Sequence, residues 1–148
     1  LNVPVGRLTQ QSLLLEAVAR LVAHHGMRSH PPQSLKPNAS PQKAIQTARD
    51  YLEAHYAKEI SLDGLAQVTG LSPYHLVRSF SKQVGLPPHR YQTHWQVLRA
   101  KQDLRTGKPL AAIATDHGFY DQSHFNRHFK RVFGVTPGQY RRNFVQYR

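Results

Sequence analysis

Apolar residues recur three and four positions apart along most of this chain, and no stretch alternates with period two for long enough to make a strand. The pattern predicts an all-α protein. A first helix is expected over residues 9–25, with Leu14, Val18 and Leu21 on one stripe and Gly26 as its stop. Residues 27–39 are dominated by proline, serine and polar side chains and read as a linker. The second helix opens with Ser40 as N-cap and Pro41 at its first position, and its spacing buries Ile45, Ala48, Leu52 and Tyr56. Ser61 caps a short helix over 62–68 that Gly70 closes; the next starts at Ser72-Pro73 and ends at Gly85. A long helix follows over 88–105, with Tyr91, Trp95 and Leu98 as its apolar face and Gly107 past its end. Then come a short helix over 110–117, a longer one between Asp121 and Gly134, and a last one with Thr136 as cap and Gln139 closing a capping box.

The segment from His75 to Tyr91 is written a second time 49 residues later, with matches at His75/His124, Arg78/Arg127, Phe80/Phe129, Gly85/Gly134, Pro88/Pro137 and Tyr91/Tyr140. Upstream the echo slips by one residue, so that Leu65-Ala66 and Gly70-Leu71 answer Ile113-Ala114 and Gly118-Phe119. Two copies in so short a chain mean one supersecondary unit used twice. Each copy reads as helix, glycine-marked turn, helix. The expected organisation is an N-terminal helix (1–26), a linker (27–40) and a double helix-turn-helix domain (41–148), with units at 61–84 and 109–133 joined by the long helix.

Taken at about 100° per residue, the first copy turns Leu76 and Phe80 inward and Tyr74, Arg78, Ser81 and Lys82 outward, flanked by His75 and Val77. The second turns Phe125 and Phe129 inward and Ser123, Arg127, Lys130 and Arg131 outward, flanked by His124 and Asn126. Such a face suits base edges: arginine for guanine, asparagine for adenine, an apolar valine for a thymine methyl. For a single copy an ordinary solvated helix would explain as much; two copies with the same inward pair and the same arginine make that reading weaker.

Charge moves the picture the same way. The 148 residues carry 20 Lys plus Arg against 8 Asp plus Glu, and from Ser72 onward 13 basic residues face only 3 acidic ones, which favours a polyanion as partner. Lys101 and Arg105 load the long helix with further positive charge for phosphates. At about 18 residues that helix would span about 27 Å, near the roughly 34 Å between successive major grooves on one face of DNA. For Trp95 a core aromatic is favoured over base stacking.

These residues carry a family resemblance. The run from Gly118-Phe119-Tyr120-Asp121-Gln122-Ser123-His124-Phe125-Asn126-Arg127-His128-Phe129-Lys130 through Phe133-Gly134-Val135-Thr136-Pro137 and Tyr140-Arg141-Arg142 resembles the signature of the AraC/XylS family of bacterial transcriptional regulators. The first copy, from Leu65-Ala66 through Gly70-Leu71-Ser72-Pro73-Tyr74-His75-Leu76, is similar to the same family's first helix-turn-helix, and the resemblance covers residues 42–142. It implies a seven-helix domain whose two recognition helices read adjacent major grooves of double-stranded promoter DNA. The family's base-reading sites fall on Tyr74, Val77 and Arg78, and on Gln122, Ser123, Asn126 and Arg127; His75, Ser81, Lys82, Lys101, Arg105, His124, Lys130 and Arg131 are the phosphate or flanking candidates. Two departures stand out: Gly64 inside a helix, and Thr115-Asp116-His117 where smaller residues usually precede the Gly-Phe turn. The resemblance also makes residues 1–40 the tail of a sensor domain and its linker. RNA polymerase is then a candidate partner, an effector would act only through the missing sensor, and a second subunit would pair through the missing part, all in a bacterial cytoplasm.

Other classes find less support. The absence of cysteine excludes disulfides, zinc-thiolate sites and cysteine nucleophiles, including the reactive cysteine that DNA alkylation-repair proteins with similar domains need. His124 and His128 stand one turn apart as a possible ligand pair, but no third ligand accompanies them, so no metal or other cofactor is expected. No nucleophile elbow, phosphate loop or carboxylate pair suggests catalysis. No apolar run approaches a membrane span, and Leu1-Asn2-Val3-Pro4 reads as an internal cut through a longer protein rather than a signal peptide. The alternative kept open is a helical protein-interaction module with non-specific affinity for nucleic acid.

Overall fold

Side-chain caps mark the start of five of the described helices. The computed structural model describes residues 40–144, and the helix expected over 9–25 and the linker over 27–39 lie outside them. Among the described residues there are seven α-helices and no strand: α1 Pro41–Ala54, α2 Leu62–Thr69, α3 Pro73–Val84, α4 Pro88–Asp103, α5 Leu110–Asp116, α6 Gln122–Phe133 and α7 Pro137–Phe144. Ser40, Ser61 and Ser72 accept the N–H groups of Lys43, Gly64 and His75 at 3.3, 3.0 and 3.3 Å. At α7 the N–H of Thr136 donates to Gln139 Oε1 at 2.9 Å while that of Gln139 donates to Thr136 Oγ1 at 3.3 Å, a reciprocal capping box. Gly64 sits directly over its cap: a Cβ there would stand 3.0 Å from Ser61 Oγ.

The described chain divides into two compact units. In the first (residues 40–55 and 59–91), α1, α2 and α3 pack on one another and bury Ile45, Ala48, Leu52, Leu65, Leu76 and Phe80. The Phe80 ring meets Tyr91 edge-on at 5.4 Å, and the Tyr91 hydroxyl donates to Glu53 and accepts from Arg49 Nε. In the second (residues 56–58 and 92–144), Val97, Ala100, Leu104, Ile113, Ala114, Phe119, Phe125 and Phe129 make one apolar cluster, with Leu110, Phe133 and Tyr140 packed against it. Phe80, Phe125 and Phe129 are fully buried; truncating any of them to alanine would cost about 3–5 kcal/mol.

Three sequence expectations are corrected. The spacing that placed Tyr56 beside Leu52 fails because α1 ends at Ala54; His55, at φ −120°, leads the chain out of the helix, and Tyr56 folds with the second unit. The long helix stops at Asp103 and tightens into a 3-10 turn over Leu104–Thr106, so it has 16 residues and Arg105 lies beyond it. Its inward face is also different. Gln92 and Gln96 are buried while Trp95 and Leu98 stay partly exposed, because the two carboxamides hydrogen-bond backbone carbonyls that no apolar side chain could satisfy. No described helix is long and apolar enough to cross a membrane.

Candidate nucleic-acid interface

In the first unit the turn between α2 and α3 is closed by Gly70, whose N–H donates to Gln67 O at 3.4 Å. The cap at Ser72 then starts α3 with Tyr74 half-buried, His75, Arg78 and Lys82 exposed and Ser81 half-buried. The Tyr74 and His75 rings lean together at 5.8 Å. Val77 is corrected: it is 5 % exposed and counts with the core. It lies one residue from Leu76 and three from Phe80, so the inward stripe of α3 takes it in.

In the second unit the N–H of Gly118 likewise donates three residues back, to Thr115 O at 3.1 Å. The N–H of Phe119 donates to Ala114 O at 2.9 Å, and the Phe119 ring packs against Phe125 at 5.1 Å and His124 at 5.6 Å. Asp121 spends its carboxylate on the N–H of His124 at 2.6 Å, which starts α6. Gln122, Ser123, Arg127, Lys130 and Arg131 are exposed; His124 and Asn126 are half-buried at the edge of that face, and Asn126 Oδ1 is enclosed without a hydrogen-bond partner. Burial holds the His124 imidazole below its ordinary pKa; the Arg127 charge pushes the same way, against a smaller opposing effect of Asp121. His124 and His128 stand edge to face at 4.6 Å with Phe119 against both, an aromatic stack. Among the described residues no group of three or more His, Asp or Glu side chains is gathered to hold a metal ion.

The outward faces of α3 and α6 thus carry arginine and lysine with no carboxylate in either helix. Guanidinium forks on a rigid helix can grip phosphates or pair bidentately with guanine. Two phosphate candidates on or after α4 differ in placement. Arg105 is exposed on the 3-10 turn, whereas the Lys101 ammonium lies over the rings of Phe133 and Tyr140 at 4.8 and 5.4 Å. Sequence reasoning passed over Tyr120, which is 64 % exposed one residue before the Asp121 cap. Its place beside the start of α6 was the available signal.

Comparison with known proteins agrees with this geometry. The helix-turn-helix domain model matches residues 65–143. The transcriptional regulator YbfI of Bacillus subtilis (strain 168), itself uncharacterised, is 36 % identical over 117 residues, which is 79 % of this chain and 41 % of that protein. This chain therefore spans about two fifths of that relative's length. A crystal structure of an AraC-type DNA-binding-domain regulator from Chromobacterium violaceum superposes with a TM-score of 0.66 at 29 % identity, over 75 % of this chain and all of that one. The DNA-binding domain of the global transcriptional factor AdpA, solved in complex with a target DNA, shares the fold with a TM-score of 0.64 at 22 % identity, over 68 % of this chain and 92 % of its own. With the signature residues, the two capped recognition helices and the matched family model in agreement, the chain belongs to the AraC-type helix-turn-helix family of DNA-binding transcriptional regulators.

Proposed function

We propose that the chain reads a specific double-stranded DNA sequence, α3 and α6 each entering one of two adjacent major grooves. The observation that carries this is the pair Arg78 and Arg127. They hold equivalent places in the repeat, two residues before the buried Phe80 and Phe129, and both are exposed. Tyr74 accompanies Arg78, and Gln122, Ser123 and Asn126 accompany Arg127, as base-reading groups. His75, Ser81, Lys82, Arg105, His124, Lys130 and Arg131 supply phosphate and flanking contacts.

The target is a promoter, and the output is transcriptional control through RNA polymerase in a bacterial cytoplasm. An effector and a second subunit would act through parts of a longer protein. Selection of bound sequences from a random DNA pool tests the specific reading. Two unlike sequence boxes about one helical turn apart are expected; enrichment of no sequence, with binding set by salt alone, would contradict it.

A further inference from the structure

Residues Tyr56–Lys58 form a short strap within the second unit. Gln92 Nε2 donates to the carbonyls of Tyr56 and Lys58 at 3.0 and 2.8 Å, and Gln96 Nε2 donates to those of Tyr56 and Gly118 at 3.0 and 3.5 Å. The carbonyl of Ala57 backs onto Gly118 so closely that a Cβ there would stand 2.4 Å from its oxygen. Gly118, at φ +81°, is the turn residue of the second helix-turn-helix.

His117, immediately before it, is 7 % exposed and bonded at both ring nitrogens. Nε2 lies 2.9 Å from Asp103 Oδ2, and Nδ1 lies 3.3 Å from the Tyr56 hydroxyl, whose ring stacks on the imidazole at 5.9 Å. A carboxylate only accepts, so Nε2 carries the hydrogen in the Asp103 bond; in the neutral ring Nδ1 then accepts from the Tyr56 O–H. The Arg99 guanidinium covers the other part of the Tyr56 ring at 6.0 Å. The structure shows His117 holding three pieces of chain together: the strap, the end of α4 and the turn into α6.

We propose that the strap and His117 form a latch that sets the direction in which the Gly118-Phe119 turn delivers α6 to DNA, with His117 as a positioning residue for the second recognition helix. The inference rests on the two-groove reading above. Hydrogen bonds fix direction where apolar packing tolerates sliding, and the turn passes that direction to α6 through Phe119, whose ring lies on Phe125 and His124.

The test compares Tyr56→Phe, His117→Ala, Asp103→Ala and Asp103→Asn in the full chain. Two readouts are taken: amide exchange of the free protein, and footprints on DNA carrying both selected boxes. Tyr56→Phe and His117→Ala should speed exchange at residues 118–124 and weaken protection of the second box about three- to tenfold, with the first box unchanged. Asp103→Ala should do the same, and Asp103→Asn, which keeps an oxygen acceptor toward Nε2, should rescue it. Equal losses at both boxes, or faster exchange with the second box fully protected, would overturn the latch. If His117→Ala unfolds the second unit, Tyr56→Phe decides, since it removes one oxygen and keeps the stacked ring. If the unaltered chain protects only one box, the two-groove reading fails instead; exchange in Tyr56→Phe still judges the latch, and an unchanged rate sinks it.

Discussion

The ammonium of Lys101 stands 4.8 Å from the centre of the Phe133 ring, with Tyr140 close behind at 5.4 Å. A cation held over two rings is expected to stabilise the second unit rather than to follow a phosphate. Lys101→Ala is expected to lower the stability of that unit by about 0.5–1 kcal/mol while leaving the salt dependence of DNA binding unchanged. Urea melts beside salt-titrated affinities check this. A salt slope shallower by about one at unchanged stability would return Lys101 to the phosphate contacts.

Two glycines of positive φ should respond differently to alanine. At Gly134, φ is +77° and an added Cβ meets no atom within 4 Å, so only the backbone objects, at about 1 kcal/mol. At Gly118 the same φ penalty is joined by the approach of Ala57 O at 2.4 Å, and the loss should exceed about 2 kcal/mol. Denaturant unfolding of the two variants gives the comparison; equal losses would mean that the strap yields freely.

His124 should make the second unit sensitive to acid. Burial chiefly, and then Arg127, depress its pKa below the ordinary value of 6.5, so the folded state takes up the proton less readily than the unfolded chain. The contribution is complete above about pH 6.5 and is lost as the pH falls through the folded value. His124→Asn should flatten the decline in stability between about pH 7 and 5, and Arg127→Ala should shift the His124 titration upward. A His124 imidazole NMR titration at or above the ordinary value would contradict both.

Arg78→Ala and Arg127→Ala should each cost about 1–3 kcal/mol on the selected site and relax base choice at one position. Arg105→Ala, on the exposed 3-10 turn, should weaken selected and random DNA alike. An equal loss on both kinds of DNA for Arg127→Ala would show that it grips phosphate only.

What could be read from the sequence was short in range. Ser61, Ser72, Asp121 and Thr136 act within three residues of themselves, so the starts of α2, α3, α6 and α7 were visible without a fold. The inward Leu76 and Phe80, and their counterparts Phe125 and Phe129, followed from helical spacing reinforced by the repeat. The failures are long in range. Gln92 and Gln96 turn inward because their partners are carbonyls 22 to 40 residues away, which no periodicity encodes. Tyr56 continued a helical spacing that His55 had already broken. Val77 sat at the edge of a stripe, where counting at a fixed angle does not decide the side. Lys101 read as free charge because its aromatic partners, Phe133 and Tyr140, lie in other helices.

On the proposed function, one chain reads two boxes with two recognition helices. Inserting about five base pairs between the boxes turns one groove to the opposite side of the DNA while leaving both sequences intact. Footprinting and affinity on the original and the lengthened site measure the consequence directly. Protection of one box should disappear, and affinity should fall to that of a single-box fragment. Unchanged affinity on the lengthened site would mean that only one unit reads DNA and would overturn the two-groove reading.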